Sequence, residues 1–235
     1  MTNDSIPPQG DFAERRAAAR ERAGQLQRAM AEKDGGLAWF DALYKAAEGD
    51  PAQVPWADLA PRSALAEWLA RKDHRHEGRA IDIGCGLGDN AEGLAAAGYD
   101  VTAFDLSETA IAWAQQRFPE STVAYRQANL FDLPAAWQGG FDLVHEAYTI
   151  QALTADVRTR AMPRIADLVA PGGTLLVICR GRAEDEEAVG PPWPLSPSEL
   201  AVFRTYGLEE VRFERLAIHA DRPTPEFRVT YSRAG

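Results

Sequence analysis

The chain reads as an α/β protein. The expected fold is a doubly wound, mostly parallel, seven-stranded sheet with a C-terminal antiparallel hairpin and a helical N-terminal cap. Three observations predict it. From Ala80 to Cys179, short apolar runs alternate with helix-forming stretches, the pattern of parallel strands joined by crossover helices. A glycine-rich turn, "GCGLG" (Gly84 to Gly88), follows the first of those runs directly and opens a helix. After Leu200, "LEEVRFERLAI" and "FRVTYSR" alternate polar and apolar residues and read as a closing pair of antiparallel strands.

The elements follow in order. Residues 1–35 are expected as a mobile tail and helix. Pro7, Pro8 and Gly10 break up the start, while "FAERRAAARERAGQLQRAMAEKD" (Phe12 to Asp34) is rich in helix formers with a thin apolar stripe. Gly35-Gly36 ends it, and a lid role suits such a loosely docked helix. Residues 36–78 are expected as a helical cap of two amphipathic helices around a Pro-broken connector. Trp39, Phe40, Leu43 and Tyr44 share one helical face, and Leu65, Trp68 and Leu69 another. The charged link "RKDHRHEG" leads into a core domain over residues 79–235. There the patterning predicts strands at 80–83, 101–105, 122–126, 141–145 and 173–179, and helices at 89–97, 107–117 and 155–169. Pro163 predicts a kink, or two shorter pieces, in the last of these helices. Ser107 suits an N-cap, "APGG" (Ala170 to Gly173) a helix stop, and Ser196-Pro197 with Glu199 a capping box.

Composition narrows the function. The apolar fraction of 46% and charged fraction of 26% are ordinary for a globular protein. A net charge of -10 argues against a nucleic-acid backbone or an anionic membrane as partner. With two cysteines, Cys85 and Cys179, no disulfide scaffold is expected and a cytoplasmic, reducing setting is. No apolar run approaches the ~20 residues of a membrane span, and the polar start lacks a signal-peptide core. His74 and His76 stand two apart in a solvated, charged run without a cysteine partner, so no metal site is expected.

The glycine turn raises the question of its ligand. Glycines there permit positive φ and close approach to the backbone, and the helix behind them offers free N–H groups. Asp105 ends the second strand, where a carboxylate can take both hydroxyls of an adenosine ribose. A dinucleotide fingerprint would read G-x-G-x-x-G; this chain has G-x-G-x-G, with Asp89 and Asn90 where the third glycine of that form would fall. Asp82 stands just before the turn, which contains no Lys or Arg, so its electrostatics disfavour phosphates. No P-loop motif occurs. S-adenosylmethionine fits, since it carries adenosine, an ammonium and a sulfonium but no phosphate.

The motifs together resemble class I S-adenosylmethionine-dependent methyltransferases with their Rossmann-like fold. "AIDIGCGLGDNAEGLAAAGYDVTAFDLS" is similar to the first two motifs of that family. "RQANLFDLP", "FDLVHEAYTIQAL" and "LVAPGGTLLVI" are similar to the third-, fourth- and fifth-strand motifs, in the family's order. The resemblance implies that Gly84, Cys85 and Gly86 face the methionine end, with Asp82 setting the loop and Asn90 beside it. It implies Asp105 on the ribose, Leu106 against the adenine, Asn129 at the adenine amino group and Leu130 as a backbone contact. It also implies that His145, Glu146 and Tyr148 line the methyl-transfer centre. His145 reads equally as a buried core histidine, Tyr148 as packing, and Cys85 as a small buried residue rather than a nucleophile.

Two regions bear on the acceptor. "WFDALY" with "VPW", and the acidic, Pro/Trp-rich "GRAEDEEAVGPPWPLSPSEL", resemble the lid segments of the thiopurine, halide and thiol methyltransferase branch. That branch implies a small-molecule acceptor with sulfur favoured, an apolar cage from Trp39, Phe40, Trp56 and Trp193, and Tyr44 as a further substrate or lid residue. Attack by a soft nucleophile needs positioning and desolvation more than a base. Base-assisted O- or N-methylation of a small metabolite is the alternative, through His145, Glu146 or Tyr148. A non-catalytic cofactor-binding module and an NAD-type dehydrogenase are further rivals. The chain is expected as a monomer or homodimer.

Overall fold

The computed structural model describes residues 9–30, 37–71, 77–216 and 224–235, with backbone only for 9–13. The polar start before Gln9, Gly35-Gly36, and His74 with His76 lie outside the described residues. The chain divides into two compact units, Met1–Leu59 and Ala60–Gly235.

The first unit holds helix α1 (Gln9–Met30), helix α2 (Ala38–Ala46) and a 3-10 turn, Pro51–Gln53. Among the α1 residues whose side chains are described, the thin apolar stripe comes down to two buried alanines, Ala19 and Ala23. Its remaining attachments are ionic and polar: Arg15 pairs with Asp50, Arg22 reaches Gln53, and Arg16 bonds Asp58 at 2.6 Å and the Ala57 carbonyl at 2.9 Å. Trp39 stacks on Phe40, with ring centroids 4.1 Å apart, and meets Trp56 edge-on. Trp56 Nε1 donates to the Tyr44 hydroxyl at 2.8 Å, which satisfies the indole N–H.

The second unit opens with helix α3 (Ser63–Leu69), then strand β1 (Arg79–Ile83), helix α4 (Asp89–Ala97), strand β2 (Asp100–Asp105), helix α5 (Glu108–Arg117) and strand β3 (Ala124–Gln127). Strand β4 (Phe141–Ala147), helix α6 (Ala155–Ala166), strand β5 (Val169–Arg180), helix α7 (Pro197–Ala201), strand β6 (Leu208–Leu216) and strand β7 (Glu226–Arg233) complete it. The unit boundary therefore falls at Leu59/Ala60, inside the expected 36–78 cap. The reason is packing: Leu65 and Trp68 of α3 are buried in one cluster with Ala80, Leu94, Leu176 and Ile178, and Trp68 Nε1 donates to Thr230 Oγ1 of β7 at 3.3 Å.

The seven strands form one sheet in the order β3-β2-β1-β4-β5-β7-β6, parallel except for β7 and β6. The chain leaves β1 toward β2 on one side and returns at β4 on the other, so the carboxyl ends of β1 and β4 border the crevice where such sheets bind ligands. Side chains alternate across the sheet. Ile81, Ile83, Val144, Leu175 and Val177 pack with Met162 and Ile165 of α6, while Ala80, Leu143, Leu176 and Ile178 pack toward α3 and α4.

Several boundaries differ from expectation. "APGG" is not a helix stop: it belongs to β5, which starts at Val169 and is offset by a bulge opposite Phe141 and Leu143. α6 ends at Ala166 and runs as one helix, not two pieces. Pro163 lies in its last turn, where a missing N–H removes one bond and leaves nothing downstream to break. The capping box at Ser196 and Glu199 is present. Among the described residues no helix is long and apolar enough to cross a membrane.

Candidate active site

The turn after β1 takes its shape from its glycines. Gly84, Gly86 and Gly88 have φ of 62°, 53° and 90°, a region in which L side chains are strained. At Gly84 a Cβ would lie 2.6 Å from Thr149 Oγ1, and at Gly88 2.4 Å from the Tyr125 hydroxyl. The turn is tied to β2: Cys85 N–H donates to the Phe104 carbonyl at 2.9 Å, and Gly86 N–H to Asp105 Oδ2 at 3.0 Å. The other oxygen of Asp105 accepts the Ser107 N–H at 2.9 Å, and Ser107 Oγ caps α5 through the Ala110 N–H at 3.0 Å. Asp105 is thus aimed by two backbone N–H groups at the carboxyl end of its strand. Burial, with Asp105 and Asp82 adding to it, pushes the Cys85 thiol well above its ordinary pKa, which disfavours the thiolate.

One neighbour of the turn was not legible in the sequence. Arg117 comes back from the end of α5 to form two bonds with Asp89, at 2.7 and 2.8 Å, and one with the Leu87 carbonyl at 2.6 Å. The turn has a cation beside it after all, but one already matched by a carboxylate in bidentate contact.

His145 and Glu146 are adjacent in sequence and point to opposite faces of the sheet, as neighbours on a strand must. Asp82 and His145 are register partners on β1 and β4, fully enclosed, with Asp82 Oδ1 and His145 Nδ1 2.7 Å apart. Asp82 Oδ2 and His145 Nε2 are buried with no hydrogen-bond partner among the described residues. Glu146, on the α6 side, accepts the N–H groups of Thr149 at 2.7 Å and Ile150 at 2.9 Å. Burial outweighs those bonds and, with Asp82 nearby, raises its pKa to about 7.

Tyr148 stands at φ 66°, where a bulky residue is strained and surrounding contacts must hold it. Its hydroxyl bonds Glu226 Oε1 at 2.5 Å, and the Arg62 guanidinium lies 3.7 Å over its ring and 3.8 Å from Glu226. The Arg62 N–H donates to Asn90 Oδ1 at 2.9 Å in the first turn of α4. Tyr148 and Asn90 are therefore joined, through Arg62 and Glu226, past the carboxyl end of β4. Sequence reasoning missed both connecting residues, which lie far from the motifs and carry no local signature.

The remaining predicted residues lie elsewhere in the two units. The Leu106 carbonyl accepts Gln127 Nε2 at 3.1 Å, and Asn129 Oδ1 accepts the Phe131 N–H at 3.0 Å, leaving the Asn129 side chain exposed on the loop after β3. Leu130 packs on the core and lines a cavity of about 250 Å³ with Phe131, Leu133 and Arg164, to which the glycine turn contributes nothing. Trp193, on the segment after β5, donates its N–H to the Gln151 carbonyl at 2.8 Å. Trp39, Tyr44 and Trp56 form the aromatic cluster of the first unit. No group of His, Cys, Asp and Glu suited to a metal occurs among the described residues.

The class this fold and turn define is the doubly wound domain that binds adenosine-containing cofactors at a β1 glycine turn. Residues 80–173 match, more narrowly, the methyltransferase domain family. The ubiquinone biosynthesis O-methyltransferase of Aromatoleum aromaticum is 37% identical over 109 residues, 46% of either chain. The probable thiol methyltransferase 2 of Arabidopsis thaliana is 29% identical over 148 residues, 62% of this chain and 64% of that one. The chain thus spans about half to two thirds of the length of the curated relatives it matches. Among solved structures, the N-methyltransferase NodS of Bradyrhizobium japonicum, in complex with S-adenosyl-L-homocysteine, shares the fold with a TM-score of 0.64 at 21% identity, covering 83% of this chain and 100% of that one.

Proposed function

We propose that this chain transfers a methyl group from S-adenosylmethionine to a small-molecule acceptor. The observation that carries the reading is the Gly84–Gly88 turn with Asp105 held by the Gly86 and Ser107 N–H groups. The residues fit that cofactor: glycines leave the backbone open, a carboxylate waits at the end of β2, and the neighbouring cation, Arg117, is matched by Asp89. Asp105 would take the ribose hydroxyls, the Leu106 and Asn129 region the adenine, and the Gly84–Gly86 turn the methionine end. When bound, S-adenosylmethionine supplies a methyl carbon activated by its sulfonium. The protein's part is to orient that group, exclude water and leave the acceptor a line of approach.

Sulfur is the favoured acceptor atom. His145 and Glu146 are fully buried on opposite faces, so neither stands ready as a base at the edge, and a thiol near neutral pH needs little help to ionise. A thiol methyltransferase among the relatives agrees with this. Base-assisted transfer to oxygen or nitrogen is favoured by a different observation, the 2.5 Å bond of Tyr148 to Glu226, which offers a hydroxyl backed by a carboxylate. Rate–pH profiles of Tyr148→Phe on a thiol and on a phenol separate the two. Two free, buried cysteines suit a reducing cytoplasm.

The test is calorimetric titration with S-adenosylhomocysteine. Two charge-assisted bonds lost in Asp105→Ala correspond to about 3 kcal/mol, so affinity should fall roughly 100-fold with the fold retained. Unchanged affinity refutes the site.

A further inference from the structure

Glu146 is a buried carboxylate for which methyl transfer has no evident use. It is fully enclosed on the α6 face of β4, between its register partners Ile83 and Val177. Its Oε1 is tied down, while its Oε2 is buried with no hydrogen-bond partner among the described residues. One oxygen accepts the N–H groups of Thr149 and Ile150, the first two backbone donors of the turn that leaves the sheet after Tyr148. A carboxylate accepting two such N–H groups fixes both peptide planes and so the path of the turn.

What the turn then holds is the edge of the site. Thr149 Oγ1 donates to the Ile83 carbonyl at 3.2 Å, and its side chain occupies the space a Cβ on Gly84 would need. Thr149 is therefore the wall against which the glycine turn rests. Two residues on, Gln151 is 1% exposed. Its Oε1 accepts the Arg180 N–H at 2.6 Å, fastening the end of β5, and its carbonyl accepts the Trp193 N–H at 2.8 Å. Tyr148, at the other end, donates its N–H to the Ile178 carbonyl at 2.9 Å and its hydroxyl to Glu226. The post-β4 turn touches the glycine turn, the end of β5, the Trp193 segment and the start of β7, and Glu146 sets its shape from below.

We propose that Glu146 is a positioning residue for cofactor binding: its carboxylate latches the Tyr148–Leu153 turn so that Thr149 braces Gly84 and Gln151 fixes the Trp193 segment. The role is exerted through Thr149 and Gln151 and moves no proton. It rests on the cofactor assignment above.

The test is S-adenosylhomocysteine titration of the full chain and its variants, with thermal melting alongside. In Glu146→Ala both N–H groups lose their acceptor, and affinity should fall roughly 10- to 100-fold. Glu146→Gln keeps an oxygen acceptor of the same reach and should restore affinity to within about 3-fold of wild type, a rescue that a catalytic acid or base would not show in turnover. Thr149→Ala, at a half-buried position the fold tolerates, should weaken binding by about 3- to 10-fold and keeps the proposal testable if Glu146→Ala does not fold. The double variant should be less than additive, because both substitutions release one turn. Wild-type affinity in folded Glu146→Ala, or in Thr149→Ala, overturns the latch alone. No binding by the wild-type chain overturns the cofactor assignment and the latch with it.

Discussion

Glu214 on β6 shows how strongly charge holds this fold together. Its carboxylate accepts Arg228 Nε of β7 at 3.0 Å and Nη2 at 3.1 Å, and it pairs with Arg71 just past the end of α3. Burial alone would raise its pKa, but the two guanidinium groups outweigh burial and hold it at about 2 against the ordinary 4.5. Because the folded value lies below the unfolded one, the stabilisation is fully present above pH 4.5 and is lost as pH falls toward about 2. A difference of that size corresponds to about 3 kcal/mol at neutral pH. The carboxylate is 23% exposed while Arg228 is 3% exposed, so solvent screening trims the figure without removing it, to about 2 kcal/mol. Glu214→Gln should therefore destabilise by about 2 kcal/mol at pH 7 and by less than half of that at pH 3. Urea unfolding followed by tryptophan fluorescence is the assay, since Trp68 is buried on the same helix that leads to Arg71. No difference at pH 7, or the same difference at both pH values, would refute the reasoning.

Two further outcomes follow from local geometry. Ser107→Ala removes the side-chain cap of α5 and should cost about 1 kcal/mol in the same unfolding assay, while Ser107→Gly should cost only a few tenths. Gly88→Ala places a Cβ 2.4 Å from the Tyr125 hydroxyl at φ 90°, so it should cost about 2–3 kcal/mol in urea unfolding and disturb the bond of Tyr125 to Glu92. A Gly88→Ala chain as stable as wild type would show that the turn is softer than its geometry indicates.

Much of the fold was legible because its signals are contiguous. The strand and helix alternation from Ala80, the glycine turn, Asp105 at the end of β2, the Ser107 cap and the Ser196–Glu199 box each depend on residues within one or two turns of chain. Backbone sterics and local hydrogen bonds act at that range, so the sequence alone determines them. Even there the limits showed: "APGG" carries helix-stop residues yet lies within β5, as the irregularity between the flanking pairs Phe141–Val169 and Leu143–Thr174.

The site's polar wiring needed the tertiary structure. Asp82 finds His145 only through the register of β1 on β4, and a slip of one residue would put the two side chains on opposite faces. The same alternation sends Glu146 away from His145, so these two sequence neighbours meet different partners, Asp82 on one face and the Thr149 N–H on the other. Arg62 and Glu226 meet Tyr148, Arg117 closes on Asp89, and Arg228 on Glu214, each across an interval that no short-range pattern encodes. The strand and helix alternation and the glycine turn are written in local sequence. The partners of the buried charges are not, since which carboxylate meets which cation is decided by how the elements pack and how little water remains between them.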